Sequence, residues 1–483
     1  MSNIIALSDI DAKARETLAS LGPDPQNWVP ERPGIDHTVF IVGGGQSGCA
    51  LAFALRRAGI GKVTVIDAAS TAQEAGIWRS RARMNVLRTP KELIGPELGA
   101  QGLGFRAWYT ARHGDAAYTA IERIPRTIWA EYLDWYREFL KIPVRYGTTL
   151  LRIEPEGDHF RLHLAVGENR TEETARKVIL ANGFAGCGGY AIPSVLKDNL
   201  PAEYFAHTGQ PIDFAPLRGK VVGVIGAAAS AFDAAATALE AGAAKVHLFA
   251  RRDKIASTAI GKTRGYPGAY DNYAYLPDHV RWKQAVRYSE SGSTPPVDAV
   301  ERVLRFPNFF LHLNAPWTSA HLENGQISAQ AGDRKFFLDF VIAATGYAIE
   351  VSDAEPLQLF ADKILRWRDR FTPPPEETNP ILGAYPYLGE GQEFKEKIPG
   401  EAPFLADIHV VNLAGFVSLG GPIGDVPSMR RGIPAVVSRI SRDLFLADLP
   451  EHERRLTADV GPDFSEQLYA AAIRNAATSE AAE

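Results

Sequence analysis

Residues 38–48, TVFIVGGGQSG, constrain this chain more than any other stretch. Thr38 to Val42 are apolar or β-branched, which predicts a buried parallel strand. Gly43, Gly45 and Gly48 occupy the G-x-G-x-x-G positions, with Gln46 and Ser47 between the last two. Ala50 to Ala58 predict the helix that follows, stopped by Gly59. The next strand, Lys62 to Ile66, ends in Asp67. A dinucleotide fingerprint asks for an acid about 20 residues beyond the last glycine, and Asp67 meets that spacing. In such a unit Gly43 allows the tight turn, Gly45 lets backbone approach a pyrophosphate, and Gly48 lets helix and strand pack closely. The helix N-terminus offers N–H groups to the pyrophosphate, and Asp67 a carboxylate to a ribose hydroxyl. The competing reading is a tight turn with nothing bound.

The same pattern returns at Gly219. Lys220 to Ile225 predict a strand, Gly226 to Ala231 a turn containing Ser230, and Phe232 to Ala241 a helix ended by Gly242. Val246 to Ala250 form the next strand. Here Ala228 and Ala231 replace the second and third glycines, and Ala228 adds a methyl where backbone should meet phosphate. The strand leads into Arg251 and Arg252, which suit the 2′-phosphate of NADP. The competing reading is a unit that keeps the fold and has lost its ligand.

Bulk properties narrow the rest. The 483 residues are enough for two or three domains. A net charge of −5 supplies no global field for nucleic acid or anionic membrane. No apolar run reaches the roughly 18 residues of a spanning helix, and the first residues lack a secretory pattern. The expectation is a cytoplasmic protein without nucleic-acid or membrane partners. Cys49 and Cys187 are the two cysteines, and neither belongs to a C-x-x-C pair. That argues against a disulfide scaffold, a zinc or iron–sulfur site and dithiol redox chemistry. No metal site is expected.

Arg79, Arg81, Arg83 and Arg88 crowd one loop after Gly76-Ile77-Trp78. They read either as a solvated basic face or as a loop against an anionic cofactor or substrate. Trp129, Tyr132, Trp135, Tyr136 and Phe139 follow helical spacing, which reads as core or as a cavity wall. Phe336 to Ala344 predict a strand leading into Thr345-Gly346-Tyr347. Gly420 to Asp425 form a glycine-rich turn before a helix, again suited to a ligand or to an ordinary loop. The expected fold is α/β with two Rossmann-like dinucleotide-binding domains, the NADPH domain inserted into the FAD domain. Its segments are a helical lead-in (1–36), a first FAD part (37–200), an NADPH domain with insertion (201–335), a returning FAD part (336–440) and a helical tail (441–483). Two dinucleotide units in one chain are most simply explained as a flavin site and a nicotinamide site that exchange hydride.

The order of G-x-G-x-x-G, Gly-x-Trp, a second nucleotide turn and Ala-Thr-Gly-Tyr resembles class B flavoprotein monooxygenases over residues 37–430. That group includes N-hydroxylating, flavin-containing and Baeyer–Villiger monooxygenases. The resemblance implies FAD at the first turn, NADPH at the second, and hydroxylation of a small organic substrate with O2 through a C4a-(hydro)peroxyflavin. An amine or a nitrogen heterocycle such as urate is the implied substrate class. By position, Gly43, Gly45, Gln46, Ser47, Gly48 and Asp67 resemble the FAD turn and its acid. Trp78 and Arg79 resemble the flavin-flanking segment. Gly226, Ser230, Arg251 and Arg252 resemble the NADPH site, and Thr345 and Gly346 the Ala-Thr-Gly-Tyr pattern. Asp425 joins the cofactor set. Arg88 stands where the related Asn-x-Pro-Lys-Glu stretch has a flavin-facing Asn, and is the candidate catalytic residue or anchor for an acidic substrate.

Two departures bear on this. The Baeyer–Villiger linker fingerprint survives only as His207, and Ser352 stands where His or Pro is usual. The alternatives are an NADPH-flavin oxidoreductase or oxidase passing electrons to a partner or to oxygen, and a non-catalytic scaffold in which Ala228 blocks NADPH. The oligomeric state, including a homo-oligomer, is left open.

Overall fold

Val39, Phe40 and Ile41 have no solvent exposure because their strand, His37–Val42, has a parallel partner along each edge. This is seen in a computed structural model that describes residues 2–421 and 423–473. In space the first sheet runs Val144–Arg145, Val63–Ile66, His37–Val42, Asn169–Leu180, His159–Val166, Thr148–Glu156. Asn169–Leu180 serves twice. Its first half pairs antiparallel with His159–Val166, and its end pairs parallel with Ile408–Val410. The chain builds outward from His37–Val42 on one side, then crosses to Asn169–Leu180 on the other. That reversal leaves a crevice outside the carboxyl ends of Val42 and Leu180.

The second sheet is wholly parallel and repeats the reversal. Its order is Phe205–His207, Phe340–Ala343, Val221–Ile225, Lys245–Phe249, Phe309–His312. The switch falls between Ile225 and Ala343. A three-stranded antiparallel sheet, Trp317–Glu323, Gln326–Ala331 and Arg334–Leu338, precedes the crossing strand.

This corrects one expectation. The apolar run from Phe336 to Ala344 does not open the return to the first sheet. It is divided between Arg334–Leu338 of the small sheet and Phe340–Ala343 of the second sheet. The reason is topological: without Phe340–Ala343 beside Val221–Ile225 the second unit has no switch point. The chain goes back through Tyr347–Ile349, which pairs antiparallel with the outgoing Gly188–Tyr190.

Residues 253–307, which show no clear period in sequence, form helices Pro267–Asn272, Asp278–Ser291 and Val297–Leu304. Trp282, Ala285 and Val286 join the apolar core that contains Phe40, Val178 and Ile408. Ala299 and Val303 join the core under the second sheet. Burial of Val286 and Val303, about 1.5–3 kcal/mol each, helps make this segment part of the fold. The helical lead-in is Ser2–Ser20.

All the sheets lie in Met1–Ser441. A second unit begins at Arg442 and contains helix Leu449–Leu456, on which Arg455 and Glu451 pair at 3.1 Å. Residues 474–483 of the expected tail lie outside the described residues. No described helix is long and apolar enough to cross a membrane.

Candidate functional site

The two glycine turns share one register. Val42 pairs with Ile66 and the Gly43 N–H donates to the Ile66 carbonyl at 2.8 Å. At one constant offset, Ile225 pairs with Phe249 and the Gly226 N–H donates to Phe249 at 3.0 Å. Gly43 has φ +111° and Gly226 φ +125°, and a Cβ on either would overlap the carbonyl oxygen of Ala181 or Ala344. Both positions therefore require glycine for the protein's own backbone. Gly48 is closed too: a Cβ there would overlap the Gly43 carbonyl. Gly45 differs, since a Cβ there would come no nearer than 3.8 Å to anything in the chain. Its glycine suits a group lying against the turn.

Helices Gln46–Arg57 and Ala229–Glu240 start directly after these turns. Neither has a side chain capping its N-terminus. Their first N–H groups are left to an outside acceptor.

A single cleft of about 1820 Å³ is lined by both turns. Pockets for one small molecule run to roughly 300–1,000 Å³, so this one has room for two sizeable ligands. Gly43, Gly45, Gln46, Ser47, Asp67 and Trp78 line it from the first unit. Gly226, Ser230, Arg251 and Arg252 line it from the second, and Thr345 and Gly346 from the crossing segment. The Asp67 carboxylate accepts from the Gly44 N–H at 2.7 Å and the Ala69 N–H at 2.8 Å, one to each oxygen. Arg251 is exposed and, among the described residues, has no ion-pair or hydrogen-bond partner. Lys254, not singled out from sequence, joins it on the wall.

The arginine loop is held largely by the protein itself. Arg83 is buried and donates to the carbonyls of Thr208 (2.6 Å) and Gln210 (2.9 Å). Burial lowers its pKa to about 10. Arg81 lines the cleft and donates to the Gly76 carbonyl at 2.7 Å. Arg88 also lines it, and its Nη2 meets Asp233 at 2.8 Å. Asp233 is buried in Ala229–Glu240 and also meets Arg302 at 3.2 Å. Burial raises its pKa while Arg88 and Arg302 oppose that. Arg302 in turn pairs with Glu240 and donates to the Arg83 carbonyl. Asp233 thus ties the first unit's loop to the second unit's helix. Its signal in sequence is a lone acid in the alanine-rich run ASAFDAAATA.

Three expected residues stand outside the cleft lining. Arg79 pairs with Asp134 of helix Arg126–Phe139. Asp425 accepts from the Ser428 N–H at 3.0 Å and so caps the following helix, with burial raising its pKa to about 6. Gly48 serves helix–strand packing. Gly424 does line the cleft, and Pro422 of the same turn lies outside the described residues. Gln46 joins these parts: its Oε1 accepts from the indoles of Trp78 and Trp129, both at 3.2 Å, and its Nε2 donates to the Gly424 carbonyl. The aromatic helix is core. Trp129, Tyr132, Trp135 and Tyr136 are buried, and none lines the cleft.

At the crossing, Thr345 donates to the Ala191 carbonyl at 2.6 Å. His207 is wholly buried, stacked on Tyr190 at 4.8 Å, and its Nδ1 accepts from the Gly209 N–H. Burial lowers its pKa to about 4. Cys49 and Cys187 are both buried, with thiols pushed up to about 12, so neither is a ready nucleophile.

A family profile described as "Pyridine nucleotide-disulphide oxidoreductase" matches residues 40–262. The FAD-dependent urate hydroxylase of Xanthomonas campestris pv. campestris is 36% identical over 450 residues, covering 92% of this chain and 94% of that protein. Among solved structures, an ornithine hydroxylase from Pseudomonas aeruginosa matches with TM-score 0.64 at 17% identity, over 85% of this chain and 99% of that one. A Kutzneria ornithine N-hydroxylase matches with TM-score 0.65 at 15% identity, over 84% and 99%. These structures share the fold.

Proposed function

This chain belongs to the family of flavin-dependent hydroxylases that includes the FAD-dependent urate hydroxylase, and on that premise we propose that it is a monooxygenase using FAD, NADPH and O2 to hydroxylate a small nitrogen heterocycle of the urate class. One observation carries the reading: two dinucleotide turns, each at the switch point of its own sheet, line a single cleft. Residues 37–200 with 344–440 make the FAD half, and 201–343 the NADPH half, working in the cytoplasm.

The residues present fit both groups. The turn at Gly43, Gly45 and Ser47 takes the FAD pyrophosphate against an uncapped helix N-terminus. Asp67 uses one lone pair of each oxygen on backbone N–H groups, which leaves acceptors for ribose hydroxyls. Trp78 lies beside that turn through Gln46. Gly226 and Ser230 take the NADPH pyrophosphate, and Arg251, Arg252 and Lys254 the 2′-phosphate. Bound FAD would accept hydride from NADPH and activate O2, of which one atom enters the substrate. The chain's own part is to orient and to shield. The Arg88–Asp233 pair holds the two halves in register, and Thr345 pins the crossing segments. Arg88 keeps a half-exposed guanidinium on the cleft wall and anchors an acidic substrate.

Purified protein should carry FAD, lose its yellow colour to NADPH without oxygen, and consume NADPH faster when urate is present. Peroxide release should fall as product forms. If no heterocycle accelerates NADPH use and peroxide always equals NADPH consumed, the protein is instead an NADPH oxidase.

A further inference from the structure

Tyr385 is 8% exposed and lines the cleft, yet among the described residues its hydroxyl has no hydrogen-bond partner. That hydroxyl opens on the cleft, so its donor is available to an occupant of the cleft. Phe416, on the same wall, has its ring 6.2 Å from that of Tyr385 at 58°. Tyr288 lies 5.2 Å from Phe416 at 56° and lines the cleft as well. The three rings form an aromatic recess that carries the hydroxyls of Tyr385 and Tyr288, with the Arg264 guanidinium 5.4 Å from the Tyr288 ring. It is built before any ligand arrives. The Trp367 N–H donates to the Tyr385 carbonyl at 2.9 Å, and Ser418 Oγ accepts from the Leu388 N–H at 3.0 Å while donating to Pro386. The segment bearing Tyr385 is thereby tied to the turn bearing Phe416.

Charge around the cleft restricts the occupant further. Its lining acids among the described residues are Asp67, Glu74 and Asp233. Asp67 and Glu74 accept backbone N–H groups, and Asp233 is paired with Arg88 and Arg302. Asp233 is thereby neutralised, while Asp67 and Glu74 keep acceptor positions free. The cations on the walls outnumber these acids. This excess of positive charge disfavours a cationic amine, whereas a flat neutral or anionic ring would meet both stacking surfaces and donors.

We propose that Tyr385, Phe416 and Tyr288 form the substrate recess, that the Tyr385 hydroxyl donates to a carbonyl oxygen of a flat neutral or anionic heterocycle, and that aliphatic amines are excluded. The proposal rests on the monooxygenase reading above. Burial holds the Tyr385 phenol up at about 12, so it remains a donor throughout the working pH range. The hydroxyl selects orientation, and the rings supply affinity.

The test uses the FAD-loaded protein, with urate binding to the oxidised form followed by calorimetry and turnover followed separately. Y385F should weaken urate binding and raise KM by about tenfold, change kcat by less than about threefold, and lower product formed per NADPH consumed. F416L should also raise KM, and it keeps the test alive if Y385F folds poorly. Ornithine and lysine should not accelerate NADPH use by the unaltered enzyme. Urate that binds without being hydroxylated overturns the functional reading and leaves the recess standing. Urate that is hydroxylated with equal KM and equal coupling by both variants overturns the recess, as does acceleration by either amine.

Discussion

The two nucleotide units obey the same backbone rule and differ in the side chains a ligand would touch. Gly43 and Gly226 sit at the same register point, both at positive φ, and both are closed against a side chain by the neighbouring strand's carbonyl. Two positions on, Gly45 and Ala228 part company, and Gly48 and Ala231 do so again. The buried Ala231 carries a methyl where Gly48 has no room for one, so the second turn is the looser. In the first unit the strand leads to Asp67; in the second, Ala250 occupies that point and Arg251 and Arg252 follow. At the register point where the first helix carries Ala50, fully buried, the second carries Asp233. The lesson is that the demand shared by both turns falls on the first glycine, and Gly48 is a second demand of the tighter turn alone. The remaining differences separate a ribose-reading site from a phosphate-reading one and supply the bond between the halves.

Removing that bond should have the largest effect. Asp233→Ala leaves Arg302 buried with one partner fewer and frees Arg88, at a cost of about 3 kcal/mol in denaturant unfolding. Activity should fall further than FAD content, because the halves lose register while the first turn is intact. An unchanged midpoint would mean that the halves are held elsewhere. Next in size, Gly48→Ala forces a methyl onto the Gly43 carbonyl and should cost about 1–3 kcal/mol with loss of bound FAD. The matching change in the second unit, Ala231→Gly, should cost about 1 kcal/mol through helix propensity and lost burial alone. Equal losses at the two positions would erase the distinction between a tight turn and a loose one.

The contrast also explains what was legible beforehand. Both turns, their strands and the acid-versus-arginine difference are local patterns, and each survived folding at its own register. An apolar strand carries no label for its neighbours, so only the topology assigns Phe340–Ala343 to the second sheet. Arg79 and Asp425 have the right residue types, but a loop arginine can pair with any nearby acid and an Asp before a helix can cap it. Asp233 and Tyr385 were missed for the opposite reason. Their importance comes from partners, or the lack of one, far away in sequence.

A smaller effect concerns the choice of cofactor. Arg251 is unpaired among the described residues, while Arg252 donates to the Ser289 carbonyl at 3.3 Å. Replacing both with Ala should raise KM for NADPH by about 10–100-fold and for NADH by much less. Arg251→Ala alone should account for most of it. Equal losses for the two nucleotides would remove 2′-phosphate recognition from this strand end.

The last difference vanishes at neutral pH and appears on acidification. The second sheet holds His207, His247 and His312, all with pKa lowered by burial, His207 and His247 to about 4. A histidine that titrates at 6.5 when unfolded and at about 4 when folded contributes its full stability above 6.5 and loses it as pH falls toward 4. For His207 that is about 2 kcal/mol between pH 7 and pH 5. The first sheet also loses stability on acidification, but in a lower window. Its His37 lies 2.6 Å from Glu173, whose pKa is lowered by the partners Arg145 and His37 against the effect of burial. That stability is lost only as pH falls below the ordinary carboxylate range. At pH 5, amide exchange should therefore quicken in Val221–Ile225 and Phe340–Ala343 before it does in His37–Val42. His207→Phe keeps a ring against Tyr190 and cannot ionise. It should unfold more easily than the unaltered protein at pH 7, and the comparison should shift in its favour by about 2 kcal/mol by pH 5, with His247 and His312 cancelling. A gap between the two proteins that does not change with pH would show that the His207 imidazole is not held neutral by the fold.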